Sequence, residues 1–127
     1  MNKKFNNKGF TLIELLAVLA ILIAISSISI PSILSSLERT KEKQNKSRIK
    51  VLEAAAELYV TDHKNAIYNK LGTNDSCYIN LYELDVSEDN KKDSDGNDFS
   101  GVIVFNKLNG YKFTKTEDIP VGLESCK

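Results

Sequence analysis

The sequence predicts an α+β fold, in which a long amino-terminal helix, membrane-spanning in its first part and amphipathic in its second, packs on a small antiparallel sheet. Three observations predict it. Residues 10–34 are one concentrated apolar block. From there to about Tyr68, Leu34, Leu37, Ile49, Leu52, Ala55, Ala56 and Tyr59 recur at spacings of three and four among charged residues. The stretch from Asp98 to Lys115 then carries two strand-like runs around a turn.

The apolar block comes first. From Phe10 to Ile30 is 21 residues, about 31 Å as a helix and enough to cross a hydrocarbon core of about 30 Å. Lys3, Lys4 and Lys8 precede it with no acid, which predicts a single-pass segment with its amino terminus in the cytoplasm and the rest outside. An ordinary secretory signal peptide is the alternative, with Ala24-Ile25-Ser26 as its small-x-small cleavage triplet. Against it stand the length of the run and the carboxylate of Glu14 within it. An acid inside a span costs about 2.5–3.5 kcal/mol on insertion scales, so it either snorkels to the headgroups or has a partner.

Gly9 followed by Phe10-Thr11-Leu12-Ile13-Glu14 closely resembles the processing site of type IV prepilins and pseudopilins. The resemblance implies removal of residues 1–9 by a prepilin peptidase/methyltransferase, which cuts between Gly9 and Phe10 and methylates the Phe10 amine. It also implies partners: a pilus assembly platform, an ATPase that supplies the work, and further copies of the chain in a helical filament. Cutting at Gly9 sets a cationic amine four residues from Glu14. A pair between one subunit's amine and the next subunit's carboxylate would offset both in an apolar bundle and set axial register. Pro31 lies where members of the family commonly carry a proline. It lacks an N–H, so it leaves the carbonyl of Ser27 without a helical donor. With Ser26 and Ser27 before it, it marks the place where the helix is expected to bend in the membrane or to melt on assembly. In many relatives a glycine starts this stretch; here none occurs between Phe10 and Pro31.

Beyond the span, residues 35–70 read as a polar neck over Glu38 to Lys50, then an apolar stripe from Leu52 to Ala66 on which a sheet docks. The helix is expected to run to about Tyr68 and to stop at Leu71-Gly72. Residues 71–127 form a globular head. Within 98–116, Phe99 to Phe105 and Tyr111 to Lys115 are the strands of a hairpin, and Asn109-Gly110 is expected to supply positive-φ residues to the turn. Tyr78 to Leu84 reads equally as a strand or a short helix. This general plan is also that of the pilins.

Cys77 and Cys126 are the only cysteines, both beyond the span, and an outward-facing location makes one intramolecular disulfide the economical reading, with free thiols as the alternative. Closing a loop of about 50 residues would add about 4 kcal/mol on the chain-entropy model. Asp93, Asp95 and Asp98 faintly resemble a calcium loop. They lack the later bidentate Glu and flanking helices, so a solvated turn is the stronger reading.

Composition bounds the function. The 127 residues carry no formal net charge and no basic cluster in the head, which disfavours a dedicated nucleic-acid binder. One histidine, His63, stands alone, and no phosphate loop, nucleophile elbow or paired catalytic carboxylate occurs, so neither an enzyme nor a cofactor is expected. The resemblance implies a structural subunit of a type IV pilus, first held in the cell membrane and then part of a surface filament for adhesion, twitching motility or aggregation. The alternatives are a pseudopilin of a type II secretion or competence DNA-uptake system, and a secreted or membrane-anchored binding module.

Overall fold

A computed structural model of the chain describes residues 9–127. The expected leader, with Lys3, Lys4 and Lys8, lies outside the described residues except for Gly9. The chain divides into two units, Met1–Arg39 and Thr40–Lys127.

In the first unit the helical residues belong to α1 (Leu12–Asp62). Glu14 is the only charged residue between Phe10 and Leu37, and the large apolar side chains of this stretch are all exposed, from 47% at Leu19 to 86% at Phe10. No described residue of the unit covers them. The helix is unbroken through Pro31. Its serine hydroxyls bond back to the preceding turn, Ser26 donating to the Leu22 carbonyl at 2.7 Å, Ser27 to Ile23 at 2.8 Å and Ser29 to Ile25 at 3.1 Å, contacts that slightly weaken a helix without ending it.

The second unit holds the core. Leu52, Ala56 and Val60 of α1, four residues apart and so on one face, are buried together with Ile67 and Leu71 of α2 (Lys64–Leu71). They face an antiparallel sheet of β1 (Ser76–Asn80), β2 (Gly101–Asn106) and β3 (Gly110–Lys115), in the order β1-β2-β3. In β1 and β2 the inward set is fixed by register: Cys77 sits opposite Phe105 and Ile79 opposite Ile103, and all four are buried. Phe113 and Tyr111 of β3, opposite Ile103 and Phe105, pack on this core while half-buried. Gly101 is required by close approach, because a Cβ there would lie 2.4 Å from the Thr114 carbonyl oxygen.

The details depart from the sequence reading in several places, and the first hairpin strand, expected over Phe99 to Phe105, is β2 at Gly101–Asn106. The helix ends at Asp62 rather than Tyr68: the His63 Nδ1 lies 2.9 Å from the Tyr59 carbonyl oxygen, its ring stacks on Tyr59 at 4.6 Å, and α2 starts afresh at Lys64. The segment from Tyr78 to Leu84 is both of its alternatives in succession, since β1 is followed directly by a 3-10 turn at Leu81–Glu83. Asn80 and Glu83 close that turn, with the Glu83 carboxylate accepting from the Asn80 amide at 3.1 Å. In the hairpin, only Gly110 takes a positive φ, of 80°. Asn109 does not, because the turn is a three-residue loop held by the Asn106 side-chain oxygen, which accepts from the amides of Leu108 and Asn109 at 2.8 Å each.

Cys77 and Cys126 are joined in a disulfide, with Cα atoms 5.0 Å apart. The bond ties the tail to β1, where the Tyr78 amide donates to the Glu124 carbonyl at 2.9 Å and the Cys126 amide to the Tyr78 carbonyl at 2.8 Å. Across the sheet, the Phe113 amide of β3 donates to the Glu53 carboxylate of α1 at 3.0 Å.

Candidate processing and assembly site

The junction expected to be cut lies just ahead of α1. Gly9 and Phe10 are exposed and outside any helix or strand. A Cβ on Gly9 would meet nothing within 4 Å, so nothing in this fold requires glycine there. The bond between the two residues is open to an external active site.

One turn on, Thr11 and Glu14 form a capping box. The Thr11 hydroxyl accepts from the Glu14 amide at 3.3 Å, and the Glu14 carboxylate accepts from the Thr11 amide at 3.1 Å. This reciprocal pair satisfies two amides that a helix start otherwise leaves bare. The carboxylate also sits at the positive end of the helix dipole. The spacing Thr-x-x-Glu is the sequence signal for such a box, and attention to the charge of Glu14 alone misses it. A carboxylate offers about four lone-pair sites, so its bond to Thr11 leaves capacity for a second donor. Ser26, Ser27 and Pro31 lie within unbroken α1, and the structure places none of them beside Glu14 in the sequence or in a bond.

The remaining candidates lie in the second unit. The carboxylates of Asp93, Asp95 and Asp98 do not converge. Asp93 folds its own loop, accepting from the amides of Asp95 and Asn97 at 2.9 Å each, and these backbone bonds, that from Asn97 foremost, hold its carboxyl below the usual range. Asp95 instead pairs with Lys41. Among the described residues, no group of three or more His, Cys, Asp or Glu is arranged to hold a metal. His63, stacked on Tyr59, joins no such group.

What the sequence reading missed is how this loop is fastened. Arg48 Nη1 donates to the carbonyls of Lys92 and Asp93 at 2.7 Å each, Asn45 accepts from the Ser94 amide at 2.8 Å, and Lys41 reaches Asp95. Lys41, Asn45 and Arg48 are spaced as one helix face, so part of the polar stretch of α1 is a docking surface for the acidic loop. The spacing was visible; its partner, some 45 residues on, was not.

Residues 4–30 match the family model described as the prokaryotic N-terminal methylation motif. No curated protein matches the chain, and no solved structure does. The match covers Gly9, Phe10, Glu14 and the apolar part of α1 up to the residue before Pro31. The motif is that of pilin-type structural subunits. With a helix long and apolar enough to cross a membrane, it indicates a membrane-anchored precursor that a prepilin peptidase processes. An α+β chain with a long amino-terminal helix and a small antiparallel sheet thus carries the amino-terminal methylation signature of the type IV pilins and pseudopilins.

Proposed function

We propose that the protein is a structural subunit of a type IV pilus, stored in the cell membrane with its amino terminus inside, cut between Gly9 and Phe10, methylated on Phe10 and packed into a helical surface filament. One observation carries the reading: within the matched motif and on to Leu37, the large apolar side chains of α1 are exposed all round and only Glu14 is charged. A helix hydrophobic on every face must be covered by something other than water. Lipid covers it in the precursor, and the same helix of neighbouring copies covers it in the filament. Apolar contact alone gains little when a helix leaves lipid for protein, so packing and a polar pairing must favour the filament. The cationic methylated amine of Phe10 supplies that pairing: it approaches the Glu14 carboxylate of the next subunit and fixes register. Ser26, Ser27 and Pro31 supply the flexible joint that filament packing needs. The head faces outward, where filaments act in adhesion, motility or aggregation.

Mass spectrometry of protein sheared from the cell surface tests this. The expected product begins at N-methylated Phe10 and lacks two hydrogens at Cys77 and Cys126. A chain beginning beyond Ser26 would mean a secreted module, and processed protein that never leaves the membrane would mean a pseudopilin. Gly9→Ala should leave the fold intact and the leader attached, because only the peptidase reads that position. Glu14→Ala should be processed and inserted, yet yield at least tenfold less sheared filament; wild-type amounts would end the pairing proposal.

A further inference from the structure

We propose that the charged face of α1 from Lys43 to Glu57 is a contact between copies of this chain, and that it sets them one heptad out of step along their helices. The inference deepens the filament reading and rests on it for the shared orientation of the copies.

The basic residues of this stretch are divided between two rows. Lys41, Asn45 and Arg48 are bonded to the acidic loop of their own chain. Lys43, Lys46 and Lys50, spaced three and four apart, form a second row on another face, and all three are exposed. That row continues into acids. Glu53 stands seven residues beyond Lys46, and Glu57 seven beyond Lys50. Seven residues is close to two turns, so each acid lies only about 20° around the helix from its lysine. The face therefore changes sign along its length, basic first and acidic second. Glu57 is exposed, and Glu53, half-buried, gives one carboxylate oxygen to the Phe113 amide and keeps the other. Among the described residues, no ion pair engages Lys46, Lys50 or Glu57.

A row that changes sign discriminates between ways of pairing. Copies anchored by the same span share one orientation, so their helices run parallel. In register, Lys43, Lys46 and Lys50 would each meet themselves, and like charges in juxtaposition disfavour that arrangement. Displaced by seven residues, about 10 Å along the axis, Lys46 and Lys50 of one copy face Glu53 and Glu57 of the next. The contact is heterologous, a basic half against an acidic half, so it does not close on itself. Exposed ion pairs are individually weak; what this row supplies is register and choice of partner. Anionic lipid suits it less well. Sixteen residues separate Ile30, the end of the expected span, from Lys46. At helical rise they cover about 24 Å, beyond the headgroups and about three Debye lengths. Lipid or nucleic acid would also leave the acidic half of the row without a counterpart.

The test uses the full chain in cells. Two distinguishably tagged copies, one carrying Lys50→Cys and the other Glu57→Cys, are coexpressed and treated with a short bismaleimide, which spares the Cys77–Cys126 disulfide. The expected product is a mixed dimer, at least tenfold above either like-with-like dimer. In parallel, Lys50→Glu should lower the yield of sheared filament at least fivefold. Adding Glu57→Lys to it should restore the yield to within twofold of wild type, with the melting temperature of the head unchanged throughout. A Lys50→Cys dimer as abundant as the mixed one, full filament yield from Lys50→Glu, or no recovery by the reversed pair would each overturn the proposal. Wild-type cells that shed no filament would end the filament reading; a mixed dimer in their membranes would still support the displaced pairing, and its absence would end both.

Discussion

Two stretches of one helix, Leu12 to Arg39 and Thr40 to Asp62, meet opposite fates. The second is rich in charge yet buries Leu52, Ala56 and Val60 completely or nearly so; the first has far more apolar surface and buries none of it. Hydrophobicity measures how much of a helix must be covered, not what covers it. The second stretch is covered within its own chain by the sheet and α2, whose inward residues number just enough for one narrow stripe. For the first, the described residues hold no complement. Its cover has to be intermolecular, whether lipid or protein.

The sharpest way to break that contrast is to unfasten the part of the second unit that closes it. Replacing both Cys77 and Cys126 by Ser should cost the head about 4 kcal/mol in denaturant unfolding, since the bond closes a loop of sequence separation 49. Next comes a matched pair of truncations. Leu52→Ala, at a fully buried site, should destabilise the head by about 3 kcal/mol. Leu19→Ala removes the same atoms from an exposed site and should leave the head's unfolding midpoint unmoved; an equal loss would show that the two stretches are not distinct after all. A smaller effect is expected of Arg48→Met, which keeps the aliphatic stem but drops two bonds to the loop: about 1.5 kcal/mol, with faster amide exchange confined to residues 92–98. The smallest concerns Asp93. Its carboxyl titrates lower in the folded protein than in the unfolded chain, so its contribution is complete above the ordinary carboxylate range and is lost as pH falls through the lowered value. Thermal melts from neutral pH into acid should therefore decline slightly less steeply for Asp93→Asn than for wild type.

Much of this was legible in the sequence because it rests on local pattern. The span follows from an uninterrupted apolar run, the β2 to β3 hairpin from alternation around Gly110, and the methylation motif from six consecutive residues, Gly9 to Glu14. What sequence could not supply is long-range or single-residue in origin. The break at His63 is a single-residue interruption, where the imidazole Nδ1 and the backbone amide both lie against the Tyr59 carbonyl. The docking of the 92–95 loop depends on Arg48 meeting carbonyls some 45 residues away, and carbonyls have no sequence signature. Tyr78 to Leu84 was ambiguous because the chain changes conformation midway through it. At the processing site the residues are plain in the sequence but one of their relations is not: the charge of Glu14 is conspicuous, while its bond to Thr11 belongs to the helix start.

The placement of the tail and of Glu53 has a bearing on how copies of this protein can associate at high local concentration. An open sheet border is a template for strand addition, the geometry of amyloid and of runaway edge-to-edge aggregation. Here β1 has its outward backbone groups at Tyr78 taken by the disulfide-tethered tail, and β3 has its Phe113 amide taken by a carboxylate of α1, with Lys112 and Lys115 adding charge along the same strand. A foreign strand would have to displace one or the other. Strand addition by a second copy at Tyr78 of β1 or Phe113 of β3 is thereby obstructed.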